Sequence, residues 1–317
     1  MGHFSLYQSP KFLEFLRLVL PQAKFGYVIA RDRSEISGLI AFSVMEDGQF
    51  GTAMNSLPFY GSHGGPISNS RTVTQSLLEA LINLSEECQY KYFNLIEDPN
   101  MRIENEVLRS VGLIARDLRS SHVTPLPTNL KELHPKTRAA VSKGAKVGAV
   151  ISDESDEESW IWMQKVHESS ITLKGGAPKS LELFLQLKSV LEGDVFLRVA
   201  RVHGEPVAGL VLIRQGDCVE YFTPVVIDQF RHTQILSYLI FDSMQQASTS
   251  GIKRWNWGGT RPDQESLERF KERWGANKGE YRYFCRTNDL GNEPNLNLAL
   301  SKYPHFYLGL VPTSLGT

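Results

Sequence analysis

The alternation of apolar and polar positions along the chain predicts a mixed α/β protein in which one order of elements occurs twice. In each half, three strand-like runs precede a helix, a fourth strand, a short helix and a closing strand. The first half gives an opening helix at 10–20, strands at 26–31, 38–44, 49–54 and 92–96, and helices at 72–88 and 103–111. The second half gives strands at 195–202, 206–214, 218–224, 255–257 and 281–286, with a helix at 235–247.

Three short sequence matches support a duplication. They are KYFNL (from 91) with KRWNW (from 253), LRSVGL (from 108) with FKERWGA (from 270), and SLPFYG (from 56) with EYFTPV (from 220). The first two pairs lie 162 residues apart (253 − 91 and 270 − 108), and the third pair is spaced similarly. This common spacing favours two copies of one module over two unrelated mixed domains. We predict an N-terminal domain at 1–125, a C-terminal domain at 126–290 and a tail at 291–317 that packs on the surface.

The stretch 251–275 has the most distinctive pattern in the second half. A short aromatic strand ends in Gly258-Gly259, where the lack of Cβ atoms permits close approach of backbone or ligand. An amphipathic helix follows, with Leu267, Phe270 and Trp274 at helical spacing. Lys271 lies on or beside this apolar stripe, so its ammonium group either reaches water along apolar neighbours or points into a cleft.

Composition narrows the function classes. A formal net charge of −1 gives no global attraction to DNA or to an anionic membrane. Three cysteines that lie far apart predict neither a disulfide framework nor a metal site, and we see no clustered metal ligands. No apolar run approaches the length of a membrane span, so we expect a cytoplasmic protein without a transmembrane segment. The oligomeric state is not predicted.

Four motifs in one order carry a family resemblance. They are PKTRAAVSKGAKVGAVI (from 135), EPVAGLVLI (from 205), RHTQILSYLIFDSMQQASTSGIKRWNWGG (from 231) and LERFKERWG (from 267). Together they resemble the Fem-type peptidoglycan-bridge aminoacyltransferases and their FemAB-like relatives. The resemblance implies two tandem acetyltransferase-like (GNAT) domains and transfer of an acyl or aminoacyl group to an amine. It also implies a phosphate-bearing precursor, such as a cell-wall peptide or nucleotide sugar, bound in a cleft between the domains.

The resemblance also implies site residues and a donor. By motif, Lys271 is the basic residue that contacts the substrate phosphate or the reacting carbonyl, and Arg138 is a second carry-over. Charged tRNA is the donor of the peptidoglycan-modifying members, although the chain shows no long heptad-bearing arm. The segment 229–234 contains no glycine, so it lacks the phosphate loop of coenzyme-A-dependent relatives. We therefore expect no bound cofactor, with an aminoacyl-tRNA or, less favoured, an acyl-coenzyme A as donor co-substrate.

Further candidates come from residue type and position. His167 and His63 could each act as a general base or be structural, because imidazole titrates near neutral pH. We assign catalysis to Lys271 and His167. The predicted substrate-binding residues are Tyr60, His63, Arg138, Tyr221, Arg231, Asn256, Trp257, Gly258 and Gly259, each with a core, capping or surface role as the alternative. The rival functions are an acyl-coenzyme-A N-acyltransferase and a catalytically silent module that binds a ligand or partner.

Overall fold

The computed structural model describes residues 6–56, 63–287, 298–299 and 302–303. The chain forms two compact units. Unit 1 comprises residues 1–119 and 280–317, and unit 2 comprises residues 120–279. Most of the predicted tail at 291–317 lies outside the described residues.

The elements follow the predicted order. The strands are β1 (Lys24–Asp32), β2 (Glu35–Met45), β3 (Ala53–Ser56), β4 (Ile67–Ser68), β5 (Tyr92–Ile96), β6 (Ile114–Pro125), β7 (Val150–Glu154), β8 (Val195–Val202), β9 (Glu205–Gln215), β10 (Cys218–Val226), β11 (Arg254–Thr260) and β12 (Asn277–Thr287). The helices are α1 (Pro10–Val19), α2 (Arg71–Glu87), α3 (Asn105–Ser110), α4 (Pro135–Ala145), α5 (Glu157–Thr172), α6 (Leu181–Val190), α7 (Asp228–Arg231), α8 (Ile235–Thr249) and α9 (Glu265–Glu272). Short 3-10 turns occur at Leu6–Gln8 and Leu130–Glu132.

Short polar side chains begin several of the helices. Ser9, Ser70 and Ser180 each accept a backbone N–H from the first turn of the helix that follows. Asp156 does the same for α5, with its oxygen 2.8 Å from the Ser159 nitrogen. Such caps satisfy backbone donors that have no partner inside the helix, so the helix starts are encoded locally.

Unit 1 has the strand order β1-β2-β3-β5-β12, with β4 paired to β2. β3 and β5 run parallel, and the other pairs described in this unit are antiparallel. The core packs α2 and α3 onto this sheet through buried aliphatic and aromatic side chains.

Unit 2 has the strand order β6-β11-β10-β9-β8-β7. β10 and β11 form its parallel pair, and the other described pairs are antiparallel. Its core contains Trp255, Trp257 and Trp274, each less than 4% exposed. α4 packs closely on α8, because a Cβ added at Gly144 would lie 2.5 Å from the Gln234 carbonyl oxygen.

Two strands lie where sequence order does not place them. The predicted closing strand of the second half, 281–286, belongs to β12, and Tyr283 to Thr287 pair with β5 of unit 1. Ser120 to Pro125 of β6, which follows α3, pair with β11 of unit 2. The compact units therefore differ from the predicted segments 1–125 and 126–290, because hydrogen-bond pairing rather than sequence order sets strand membership.

The mixed α/β class predicted from the sequence is confirmed by the alternation of helices with sheets that contain both parallel and antiparallel pairs. Among the described residues, no helix has both the length and the apolar character needed to cross a membrane.

Candidate active site

The parallel strands β10 and β11 of unit 2 form a fork. Their ladder covers three register pairs and ends at Glu220 and Asn256. Beyond that point β10 continues to Val226 and β11 to Thr260. β10 also has a register shift against β9 between Tyr221 and Thr223. Where a ladder between parallel strands ends in this way, the facing backbone groups can instead pair with an extended ligand.

The double glycine of β11 forms a bulge at the mouth of this fork. The register between β11 and β6 shifts between Asn256 and Gly259. Gly258 has φ 70°, a left-handed conformation that favours glycine. The Asn256 side-chain oxygen accepts the Gly258 N–H at 2.9 Å, so the polar residue before the glycines stabilises the turn. The bulge turns two backbone carbonyls toward α9.

Lys271 on α9 binds these carbonyls. Its Nζ donates to the Gly258 oxygen at 2.9 Å, the Gly259 oxygen at 3.2 Å and the Thr260 hydroxyl oxygen at 2.8 Å. The residue is 3% exposed, so the surface-lysine alternative is wrong. Burial lowers the pKa of Lys271 to about 8, and the Glu220 and Glu268 carboxylates oppose that shift. The result is a positive group held by three acceptors in the unit 2 interior.

Glu220 lies at the last paired position of the fork. It is 5% exposed, and its Oε2 accepts from Gln215 and from Asn256, both at 3.3 Å. Burial lowers the pKa values of Lys179 and Lys271 to about 8, and the negative charge of Glu220 opposes both shifts. The Lys179 ammonium lies 4.8 Å from the centre of the Phe222 ring, within the register shift of β10. A buried carboxylate within electrostatic reach of two lysines whose pKa values are lowered is a pattern found at many sites of proton transfer.

The predicted base His167 has a structural contact. Its Nε2 accepts the Lys179 backbone N–H at 3.1 Å, and its ring packs edge-on against Phe184. Burial, followed by the Lys179 charge, lowers its pKa to about 4, so the ring is neutral at neutral pH. His167 therefore contacts the backbone of Lys179, whose ammonium group lies over the Phe222 ring. A catalytic role for His167 remains a prediction.

Asn256, Trp257 and Tyr221 lie on the neighbouring strands β10 and β11, and their predicted roles in substrate binding remain predictions. The Trp257 indole donates to the Thr124 hydroxyl at 2.9 Å and packs on Tyr221 with ring centres 5.1 Å apart. Thr124 donates in turn to the Trp274 carbonyl at 3.2 Å. Burial raises the pKa of Tyr221, so its phenol stays protonated. Tyr221 and Trp257 are thus part of a buried aromatic cluster in the core of unit 2.

The two predicted arginines lie elsewhere in unit 2. Arg138 of α4 donates to the Lys131 and Leu133 carbonyls at 2.9 and 3.0 Å, and so fixes the turn before its own helix. Arg231 is exposed at the end of α7, where it pairs with Asp228 and donates to Ser170. Neither contact tests substrate binding, so both assignments remain predictions.

The remaining two candidates belong to unit 1. His63 is buried, and its ring lies edge-on to Tyr281 with centres 5.1 Å apart. Tyr60 lies outside the described residues. The predicted cleft between the two halves also remains a prediction.

Sequence reasoning missed several residues of this site. They are His122, Thr260, Glu268, Lys179 and Glu220. Glu220 could have been found from the sequence, because it is a charged residue inside the apolar run CVEYF of β10. The others take their place through contacts between elements distant in the chain, and no local pattern marks them.

Comparison with known proteins bears on the fold that holds this site. Residues 134–283 match the family model described as an acetyltransferase (GNAT) domain. A search of the curated proteins finds no match. Among solved structures, FemX is similar over 95% of both chains, with 14% identity and a TM-score of 0.69.

Two further structures cover most of the chain. L-PGS from Bacillus licheniformis is similar over 93% of this chain and 95% of its own, with 16% identity and a TM-score of 0.59. A tandem GNAT protein from the clavulanic acid biosynthesis pathway is similar over 92% of each chain, with 8% identity and a TM-score of 0.59. At such identities the likeness concerns the fold. The predicted fold class, two tandem GNAT-like domains, is confirmed.

Proposed function

We propose that the protein is a Fem-like acyltransferase that moves an activated acyl or aminoacyl group onto an amine of a phosphate-bearing precursor. The observation that carries this proposal is the buried Lys271 ammonium at the glycine bulge of β11, inside the segment that matches a GNAT acetyltransferase domain. The resemblance of FKERWG to the Fem-type motif points to the same residue.

The chemistry needs a polarised carbonyl and a deprotonated amine. Attack by the amine forms the new C–N bond, and collapse of the tetrahedral intermediate breaks the ester or thioester bond of the donor. Negative charge develops on the carbonyl oxygen during attack, and a fixed cation stabilises that charge only in the transition state. Lys271 supplies such a cation, and its longest contact, 3.2 Å to the Gly259 oxygen, is the one a substrate oxygen can replace.

The proton released by the acceptor amine also needs a destination. Glu220 is a carboxylate at the end of the β10–β11 ladder, and it can accept this proton from the amine and then pass it to the donor's leaving oxygen or sulfur. The divergence of the two strands beyond Glu220 gives the acceptor an approach to this group.

The donor we favour is an aminoacyl-tRNA rather than an acyl-coenzyme A. A pyrophosphate-binding loop needs glycines whose N–H groups converge at a helix start. The segment before α8 has none, and its last residue, Gln234, is in the left-handed region with φ 64°. Gly144 of α4 also packs against the Gln234 carbonyl, which occupies space next to the first turn of α8. This proposal places the protein in the cytoplasm, where charged tRNA is found.

A donor screen tests the proposal. The purified protein would be incubated with a nucleotide-linked cell-wall peptide bearing a free lysine amine, together with either pooled charged tRNAs or pooled acyl-coenzyme A. Mass spectrometry of the acceptor should show an aminoacyl addition with the tRNA pool. Addition only from the acyl-coenzyme A pool would instead establish the N-acyltransferase alternative. If neither pool gives an addition but calorimetry shows that the protein binds the acceptor, the result would contradict catalysis. It would then support the alternative, a module that only binds a ligand.

A further inference from the structure

A buried histidine in unit 2 has one ring nitrogen without a hydrogen-bond partner in the part of the chain that the structure describes. His122 of β6 is fully buried, and its Nδ1 lies 3.4 Å from the Thr260 hydroxyl oxygen. Its Nε2 is also buried but has no hydrogen-bond partner among the described residues. Leaving a buried polar atom unsatisfied is costly, so this nitrogen requires an explanation.

The unpartnered nitrogen faces two carboxylates of α9. Glu268 Oε1 is 3.8 Å from His122 Nε2, a distance too long for a hydrogen bond. Glu272 follows Glu268 by one helical turn and lies on the same face. One ligand atom from each of the three residues can be chosen so that all lie within 4.8 Å of one another. Nitrogen and oxygen ligands around a tetrahedral zinc are about 3.3 Å apart, so modest rotation of the exposed Glu272 would close the set.

The chemistry of the three ligands favours zinc. One imidazole and two carboxylates form a mixed nitrogen and oxygen set of the kind that Zn²⁺ accepts. Thr260 contacts the other ring nitrogen, and such a second contact commonly orients a metal-binding histidine.

One of the three proposed ligands, Glu268, already has hydrogen-bond and ion-pair partners. Lys278 Nζ lies 2.5 Å from Glu268 Oε1, and the Ser120 hydroxyl donates to the same oxygen at 3.2 Å. The Lys278 side chain is 43% exposed, so it can move into solvent when a metal ion binds. The nearby Lys271 ammonium is bound by its own three acceptors, at Gly258, Gly259 and Thr260, and has no hydrogen bond to either carboxylate among the described residues.

We propose that His122, Glu268 and Glu272 bind a Zn²⁺ ion that ties helix α9 to strand β6. This site is separate from the acyl-transfer proposal and does not depend on it. Because α9 carries Lys271, the metal would fix the position of the helix that presents the ammonium group. The clustered ligands were not expected from the sequence, since His122 lies far from Glu268 and Glu272 along the chain.

Zinc titration of the full chain tests the site. After treatment with a chelator, isothermal titration with Zn²⁺ should show one ion bound per chain, and Co²⁺ should give the visible absorption of a low-coordinate complex. Glu272→Gln removes an exposed ligand and should weaken zinc binding by roughly tenfold or more. Glu265→Gln, an exposed glutamate on the same helix that pairs with Arg269, is the matched control and should bind zinc as the parent does.

A second readout separates a built site from weak surface binding. Zinc that binds only the folded protein raises its melting temperature. This rise should occur in the parent and in Glu265→Gln and be small in Glu272→Gln. His122→Gln should abolish the cobalt spectrum, with far-UV circular dichroism confirming that it folds. Equal zinc affinity in the Glu265 and Glu272 variants, or no saturable binding by the parent, would overturn the proposal.

Discussion

The parallel strand pairs of the two units have the same backbone arrangement but differ in side-chain chemistry. In unit 1, β3 and β5 place Asn55 opposite Asn94, and the Asn94 amide donates to the Asn55 side-chain oxygen. In unit 2, β10 and β11 place Glu220 opposite Asn256, and the Asn256 amide donates to the Glu220 carboxylate. Asn94 and Asn256 are 162 positions apart (256 − 94), the offset of the repeat. The duplication therefore kept the asparagine, while its partner is neutral in one unit and acidic in the other.

The helices that follow β5 and β11, namely α3 and α9, also differ in the chemistry of a matched position. Arg109 of α3 and Lys271 of α9 occupy matched positions of the repeat. Arg109 is exposed, whereas Lys271 is buried at the glycine bulge of β11. The matched strand positions Phe93 and Trp255 are both buried. The apolar positions therefore preserve the module in both units, and a few polar differences place the candidate chemistry in unit 2.

The largest expected effect is on transfer at Lys271. Lys271→Ala should lower the transfer rate by about a hundredfold or more, as expected for loss of a group that stabilises an oxyanion. Arg109→Ala, at the matched exposed position, should leave the rate unchanged. Both rates would be measured with the donor found in the screen. A near-normal rate for the Lys271 variant would remove this residue from the mechanism.

The contact between α4 and α8 predicts a large effect on stability. Gly144→Ala forces a Cβ to within 2.5 Å of the Gln234 carbonyl oxygen and 2.8 Å of the Tyr238 Cβ. Overpacking of this kind should destabilise unit 2 by about 1–3 kcal/mol. All 5 tryptophans lie in unit 2, so urea denaturation followed by their fluorescence reports on this unit. Ser142→Ala, at an exposed position on α4, should change stability by less than about 0.5 kcal/mol; an equal effect of both changes would contradict the close contact.

Acid should weaken unit 2 through His167. Its folded pKa, about 4, is below the unfolded value of about 6.5, so its contribution is present above pH 6.5 and is lost as the pH falls toward 4. Linkage gives a loss of about 2 kcal/mol between pH 7 and pH 5. In urea denaturation by tryptophan fluorescence, His167→Gln should lose less stability over this range than the parent. The exposed control His232→Gln should behave like the parent, and a parental pH slope in His167→Gln would refute the assignment.

The smallest effect distinguishes the two tryptophans of β11. The Trp257 indole donates to Thr124, whereas the buried Trp255 indole nitrogen has no hydrogen-bond partner among the described residues. Trp257→Phe should therefore cost about 1 kcal/mol more than Trp255→Phe, in addition to the volume change that both share. Urea denaturation followed by circular dichroism measures the difference. Equal costs would mean that the bond to Thr124 contributes little.

Local patterns predicted much of the fold and part of the site. The helix at 235–247, the hairpin strands of unit 2 and the glycine break after Trp257 all appear where periodicity and turn residues indicated. Asn256 and Gly258 could be recognised because their contact spans two residues. The burial of Lys271 could not be decided, because a position beside an apolar stripe is compatible with both solvent and interior.

By itself, then, the sequence determined the elements, their repetition at one spacing and the candidate lysine, since these depend on neighbours along the chain. Only the tertiary structure decided that Tyr283 to Thr287 pair in unit 1 and that Ser120 to Pro125 pair in unit 2. It also brought His122 of β6 to Glu268 and Glu272 of α9, and Glu220 to within electrostatic reach of Lys179 and Lys271. These contacts depend on strand pairing and burial between segments far apart in the chain, and local periodicity predicts neither.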